Sequence, residues 1–235
     1  MKVVSATNVG NYRKNNEDCY FVNESKNLYI LADGMGGHLA GERASKMATE
    51  IIASDFEKAK EVKTIEDAIE ILSSSIRDAN REIFKSSEEN EDYRGMGTTV
   101  SAGIILGSVL IYSNVGDSRI YKINKDMEQI TRDDSFVNYL MEIGEITEEE
   151  AKVHPKKNVL TKAMGTTADL DVSVNTLKIE ENDIFLFCSD GLTNMIPDEE
   201  ILKIADETVL IPMDKNIDSL NAAVAASLFM YEMTK

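Results

Sequence analysis

Four acidic motifs in this sequence place a carboxylate at an expected strand end, beside glycine or another small residue. Asn16-Glu17-Asp18 precedes an extended stretch, and Asp33-Gly34 closes the apolar run Tyr29-Ile30-Leu31-Ala32. Gly116-Asp117-Ser118-Arg119 links two β-rich segments, and Ser189-Asp190-Gly191 follows Ile184-Phe185-Leu186-Phe187-Cys188. Strand ends at one edge of a sheet can converge in space. Several carboxylates can share a site only if cations neutralise them. Hard cations such as Mg²⁺ or Mn²⁺ prefer oxygen ligands of this kind, and the Gly34 carbonyl is a further potential ligand. A two-metal site built this way makes a hydroxide nucleophile near neutral pH and clamps a phosphoryl group.

Other residues leave alternatives open. Arg13 precedes the first acidic cluster and could hold two phosphate oxygens with its guanidinium; beside Lys14 it also reads as a surface charge. His38 reads either as a general acid near a leaving group or as a residue at a helix start. Gly34, Gly36 and Gly37 fit a tight strand-to-helix connection as well as a ligand site. His154 reads as structural, and Arg119 as the partner of a carboxylate.

The elements that must position these residues follow from periodicity. Lys2–Ala6, Asp18–Val22 and Leu28–Leu31 are expected strands. Ala40–Phe56 carries apolar residues at helical spacing. Thr64 and Asp67 form a capping box for a second helix reaching Phe84, and the two helices suggest an antiparallel pair. Thr98–Leu106, Ser108–Val115 and Arg119–Ile123 read as one antiparallel meander. Short helices are expected at Asp133–Ile143, Thr147–Ala151 and Asp198–Ala205, and strands at Asp171–Ile179 and Asp183–Ser189. Strands segregated from helices indicate an α+β architecture.

With 235 residues, 43% of them hydrophobic, the chain suits one domain with a sizeable core. No apolar run is long enough for a membrane span, and Met1 to Asp18 shows no signal-peptide core. Cys19 and Cys188 stand far apart without metal spacing, which fits a reduced cytoplasm. The net charge of −17 and the lack of a basic patch argue against a nucleic-acid partner.

Arg13-Lys-Asn-Asn-Glu-Asp18, Ala32-Asp-Gly-Met-Gly-Gly-His38, Gly97-Thr-Thr99, Asn114-Val-Gly-Asp-Ser-Arg119 and Ser189-Asp-Gly-Leu192 occur in order. Together they resemble the metal-dependent protein phosphatase family, type 2C, in its bacterial form, over about residues 1–206. Glu142 to Ala151, His154 to Asn158 and Ala163-Met-Gly165 look like that family's flap segment. The resemblance implies a four-layer α-β-β-α sandwich of two antiparallel sheets flanked by helices. It implies hydrolysis of phosphoserine and phosphothreonine in proteins with two Mn²⁺ or Mg²⁺ ions, and no covalent phosphoenzyme. Carried over, Asp33 bridges the metals, Gly34 lends its carbonyl and Asp190 ligates one metal. Asp18 and Glu17 act mainly through bound water, Asp117 with Asp190 holds a weaker third metal, and Arg13 takes the substrate phosphate. A Ser/Thr kinase is implied among the phosphoprotein partners.

The family pattern ends in a glycine-rich turn, Asp-Asn and a final apolar strand, and this chain shows no such Asp-Asn. Residues 207–235 instead read as an atypical tail, with a strand at Thr208–Ile211 and a helix from Asp218 or Ser219 that carries Leu220, Ala223, Val224, Ser227, Leu228 and Tyr231 on one face. Residues 211–232 resemble the C-terminal end of SpoU-type RNA methyltransferases, but the rest of that cofactor domain is absent, so no methyl transfer is expected. The missing carboxylate leaves open a weakened or inactive phosphatase fold that binds phosphoproteins.

Overall fold

The computed structural model describes residues 2–10, 15–37, 39–59, 62–198, 200–202 and 227–231. Its strands are β1 Lys2–Ala6, β2 Asp18–Asn23, β3 Leu28–Met35, β4 Gly97–Thr98, β5 Val100–Leu106, β6 Val109–Val115, β7 Arg119–Ile123, β8 Met127–Gln129, β9 Val174–Lys178, β10 Ile184–Cys188 and β11 Ser227–Tyr231. The helices are α1 Leu39–Lys58, α2 Ile65–Glu89, α3 Phe136–Glu142, α4 Glu148–Val153 and α5 Asp190–Thr193. One antiparallel sheet has the order β1-β11-β10-β7-β8; the other runs β2-β3-β5-β6-β9, with β4 paired to the end of β3.

Burial explains the layering. Strand residues alternate between faces, so each sheet offers one face to the other sheet and one to helices. Tyr29, Leu31, Leu110 and Tyr112 from one sheet meet Ile120, Phe185 and Phe187 from the other. On its outer face the larger sheet packs Leu28, Ile30 and Ala102 against Ala44, Ala48 and Ile52 of α1 and Leu72, Ile76 and Ile83 of α2. The outer face of the smaller sheet buries Tyr121, Leu186 and Cys188 with Leu192 and Ile201. This is the mixed α+β architecture with two antiparallel sheets and helices that the motifs implied. The capping box at α2 is present in both directions, Asp67 N–H donating to Thr64 Oγ1 at 3.0 Å and Thr64 N–H donating to Asp67 Oδ2 at 3.0 Å.

Two expectations are corrected. The expected meander is broken: β5 and β6 pair in the larger sheet, whereas β7 belongs to the smaller one. The chain crosses between sheets at Gly116, whose φ is +101°. The expected C-terminal helix is also not continuous to Tyr231. Ser227–Tyr231 is a strand, antiparallel to both β1 and β10, with Ser227 opposite Ala6 and Cys188. The reason lies in the backbone: β1 and β10 leave a central gap whose N–H and C=O groups only another strand can pair. The expected strand at Thr208–Ile211 and the expected helix over residues 218–226 lie outside the described residues.

Candidate metal centre

The site forms at one end of the gap between the sheets. Asp18 opens β2 and stands opposite Asp33 of β3. Asp33 is inside its strand rather than at its end, because Gly34 and Met35 continue by pairing with Thr98 and Gly97 of β4. That pairing clamps Asp33 firmly: its carbonyl accepts from Thr99 N–H at 2.8 Å and Thr98 Oγ1 at 2.9 Å, and its own N–H donates to Thr99 Oγ1 at 3.0 Å. Gly34 N–H donates to the Glu17 carbonyl at 3.0 Å, which brings residues 17 and 34 together.

The smaller sheet contributes from the other side. Asp190 is the first residue of α5, and Asn194 Nδ2 donates to its Oδ2 at 3.0 Å. Ser189 Oγ donates to Asp18 Oδ2 at 2.9 Å, spanning 171 positions of sequence and tying the two sheets together at the site. Asp117 occupies the crossing between β6 and β7. Its neighbour Ser118 exchanges a 2.7 Å hydrogen bond with Thr99, so the Asp117 turn and the Asp33 strand share one support.

Burial and like charges act together in this cluster. The Asp33 carboxyl is held well above the usual carboxylate range, first by burial, then by the charges of Asp18, Asp190 and Asp117 and a hydrogen bond with Asp18. Asp117 is pushed up to about 7, first by burial, then by Asp190 and Asp133, against the pull of Arg119. Arg119 does not neutralise the cluster, because its Nε and Nη2 fork onto Asp133 at 2.7–3.1 Å. An all-oxygen, mutually repelling donor set suits a hard divalent cation. Among the described residues no three Asp, Glu, His or Cys side chains converge on one point.

These shifts carry a pH prediction. Each raised carboxyl binds its proton in the folded state at a pH where the unfolded chain has released it. That stabilising contribution is therefore lost as pH rises above the ordinary carboxylate range, for Asp117 through about 7. The metal-free protein is expected to unfold at lower temperature at about pH 8 than at about pH 5, and Asp117→Asn to flatten part of that decline. Thermal unfolding in EDTA checks this; an identical pH profile in wild type and variant would sink it.

Of the expected site residues, the fold assembles Asp18, Asp33, Asp117 and Asp190 and sets Glu17 against Gly34. Arg13 and His38 lie outside the described residues. His154 is a structural residue: it ends α4, its Nδ1 accepts from Lys156 N–H at 3.1 Å, and its ring sits 6.0 Å from that of Phe136. Cys188 is fully buried, with its thiol pushed up to about 12 mainly by burial, which removes it as a nucleophile. Thr98, Thr99, Ser118 and Ser189 support the cluster through hydrogen bonds that the sequence does not announce. Gly97-Thr98-Thr99 stood out only as a motif, and hydroxyls carry no spacing signal of their own.

The family model for protein phosphatase 2C matches residues 11–228. The serine/threonine phosphatase stp of Listeria innocua is 41% identical over 204 residues, covering 84% of this chain and 81% of that protein. Among solved structures, the serine/threonine phosphatase Stp1 from Staphylococcus aureus superposes with a TM-score of 0.86 at 34% identity, over 100% of this chain and 96% of that one. The catalytic domain of the serine/threonine protein phosphatase PstP in complex with two manganese ions gives a TM-score of 0.78 at 27% identity, over 97% and 96% of the two chains.

Proposed function

The chain belongs to the protein phosphatase 2C family, and from that premise we propose how its own residues carry the family's reaction. It is a metal-dependent serine/threonine phosphatase acting on phosphorylated proteins, with Mn²⁺ or Mg²⁺ as cofactor. The observation that carries the residue assignment is the cluster of Asp33 with Asp18, Asp190 and Asp117, each raising the proton affinity of Asp33. Asp33 and the Gly34 carbonyl would hold the metal pair, Asp190 one metal, and Asp18 and Glu17 the surrounding water. Asp117 with Asp190 would take a third, weaker ion. When bound, the metals supply an activated water and an electrostatic clamp on the phosphoryl group.

The residues do the positioning. The hydrogen bonds from Thr98 and Thr99 fix the Asp33 backbone, and Ser189 orients Asp18. Arg13 takes the phosphate oxygens of the substrate with its planar fork, and His38 protonates the leaving oxygen; both assignments rest on motif alone. Cys19 and Cys188 are both free thiols and take no part; their reduced state fits a cytoplasmic enzyme. The net charge of −17 favours protein over nucleic-acid partners, and a Ser/Thr kinase is one phosphoprotein we expect it to serve.

One sequence feature favours a weakened metal site as a second reading. Val224-Ala225-Ala226 precedes β11, so no carboxylate adjoins the start of that central strand. Losing one anionic ligand should lower metal affinity at least as much as losing a partner that only supports a ligand, which costs about 10–100-fold. Hydrolysis of p-nitrophenyl phosphate and of a phosphothreonine peptide is expected to need Mn²⁺, to stop with EDTA, and to saturate only in the roughly millimolar range. Turnover in EDTA, or none at any Mn²⁺ concentration in folded protein, would refute the enzyme reading. Saturation at micromolar Mn²⁺ would refute the weakened site alone.

A further inference from the structure

Asp117 hangs on a short turn that has little freedom of its own. Gly116 has φ +101°, and a Cβ there would lie 2.7 Å from Thr99 Cγ2. The turn is held from outside by one residue in both directions: Asp134 N–H donates to the Gly116 carbonyl at 2.8 Å, and Gly116 N–H donates to Asp134 Oδ2 at 3.1 Å. Asp134 is also the root of the segment that carries α3 and α4. Its carbonyl accepts from Thr161 N–H at 2.8 Å, and one residue further on Ser135 bridges to Leu160. Phe136 N–H donates to the Val159 carbonyl at 2.8 Å, which closes the neck of the 135–160 excursion.

The next residue back has a different task. Asp133 spends both oxygens on Arg119 and accepts from Gln129 Nε2 at 2.8 Å. Burial works against the Arg119 charge, and the hydrogen bonds and charge of Asp133 more than offset it. That pair anchors the far side of the turn to β7 and β8. Asp117 thus sits between two carboxylate anchors; Asp134 leads into the neck of the helical excursion, while the Asp133 carbonyl accepts from Asn138 Nδ2 of α3 at 2.9 Å.

We propose that Asp134 is a positioning residue for cation binding: its amide and its carboxylate hold the Gly116–Asp117 turn in both directions and so set where the Asp117 carboxylate meets its ion. The proposal rests on the reading of Asp117 as a metal ligand. Partners that hold a ligand in place without touching the metal typically alter affinity by about 10–100-fold when removed. The amide of Gly116 needs an acceptor rather than a charge. Asn at 134 can supply that acceptor, whereas Ala cannot.

The test is Mn²⁺ titration by calorimetry on the full chain, with Asp134→Ala, Asp134→Asn and Asp117→Asn beside wild type. Asp134→Ala is expected to weaken the lower-affinity Mn²⁺ event about 10-fold, with Asp134→Asn close to wild type. The half-saturating Mn²⁺ for turnover should shift with it, while kcat at saturating Mn²⁺ stays level. Should Asp134→Ala not fold, Asp134→Glu carries the same expectation, since the extra methylene displaces the acceptor while keeping the charge. Wild-type Mn²⁺ affinity in a folded Ala or Glu variant overturns the proposal. An Asn variant as impaired as Asp117→Asn also overturns it, because Asp134 would then be a ligand in its own right. Unchanged binding in Asp117→Asn overturns the ligand reading itself, which separates that failure from the failure of the positioning role.

Discussion

Asp33→Asn is expected to abolish metal-dependent turnover and, in metal-free protein near pH 8, to raise stability rather than lower it. Both effects come from one charge. Asp33 faces Asp18 across the strand pair and feels Asp18, Asp190 and Asp117 as like charges in a partly buried setting. With cations bound, its carboxylate is the central anionic ligand, and an amide of the same shape cannot replace that charge. The loss should reach at least about 10³-fold, equivalent to about 4 kcal/mol of transition-state stabilisation. Without cations the same charge only repels its neighbours, so removing it relieves the folded state. The relief should shrink as pH falls toward about 5, because the folded state binds the Asp33 proton more tightly than the unfolded chain does. The measurement pairs p-nitrophenyl phosphate turnover in Mn²⁺ with thermal unfolding in EDTA at both pH values. Retained turnover contradicts the ligand role, and a lower Tm near pH 8 contradicts the account of repulsion.

Gly34→Ala is expected to be the most damaging small substitution in the site. The added Cβ would lie 2.0 Å from the Gly41 carbonyl oxygen, 2.4 Å from its carbon and 2.8 Å from the Glu17 carbonyl oxygen. All three are backbone atoms, so no side chain can swing aside. Helix α1 must lift from β3, or residue 17 must move away, and either shift disturbs the ligand cluster. Overpacking against yielding side chains costs about 1–3 kcal/mol, so a clash with fixed backbone should cost at least about 3 kcal/mol and lower Tm by roughly 6–12 °C. Gly37→Ala serves as the control: Gly37 has φ +76° but nothing within 4 Å of an added Cβ, so it should lose only about 1–2 kcal/mol. Equal Tm values for the two alanine variants would contradict the packing argument.

Much of the site was legible because it is built from local motifs. A carboxylate beside glycine or a small residue marks a place where backbone and ligand must come close. That signal singled out Asp18, Asp33, Asp117 and Asp190, all of which the fold gathers. The long helices were legible for a similar reason: apolar residues at helical spacing leave few alternatives, and the Thr64–Asp67 cap declares its own position. The supports around the carboxylates were not legible. Ser189 reaches Asp18, and Asp134 reaches Gly116, across stretches of sequence that no local pattern connects.

The residue types alone marked the acidic motifs beside glycine or another small residue, and the separation of strands from helices into layers. Tertiary structure decided which sheet each strand joins. Arg119–Ile123 has the composition of a third meander strand, yet it pairs with β10, because the turn at Gly116 carries the chain out of one sheet and into the other. Tertiary structure also decided the conformation of Ser227–Tyr231. That run is apolar at a spacing compatible with a helix, and its own preference is weak. Strands β1 and β10 present unpaired backbone on either side of it, and burying those groups without partners would cost more than any local helical preference returns.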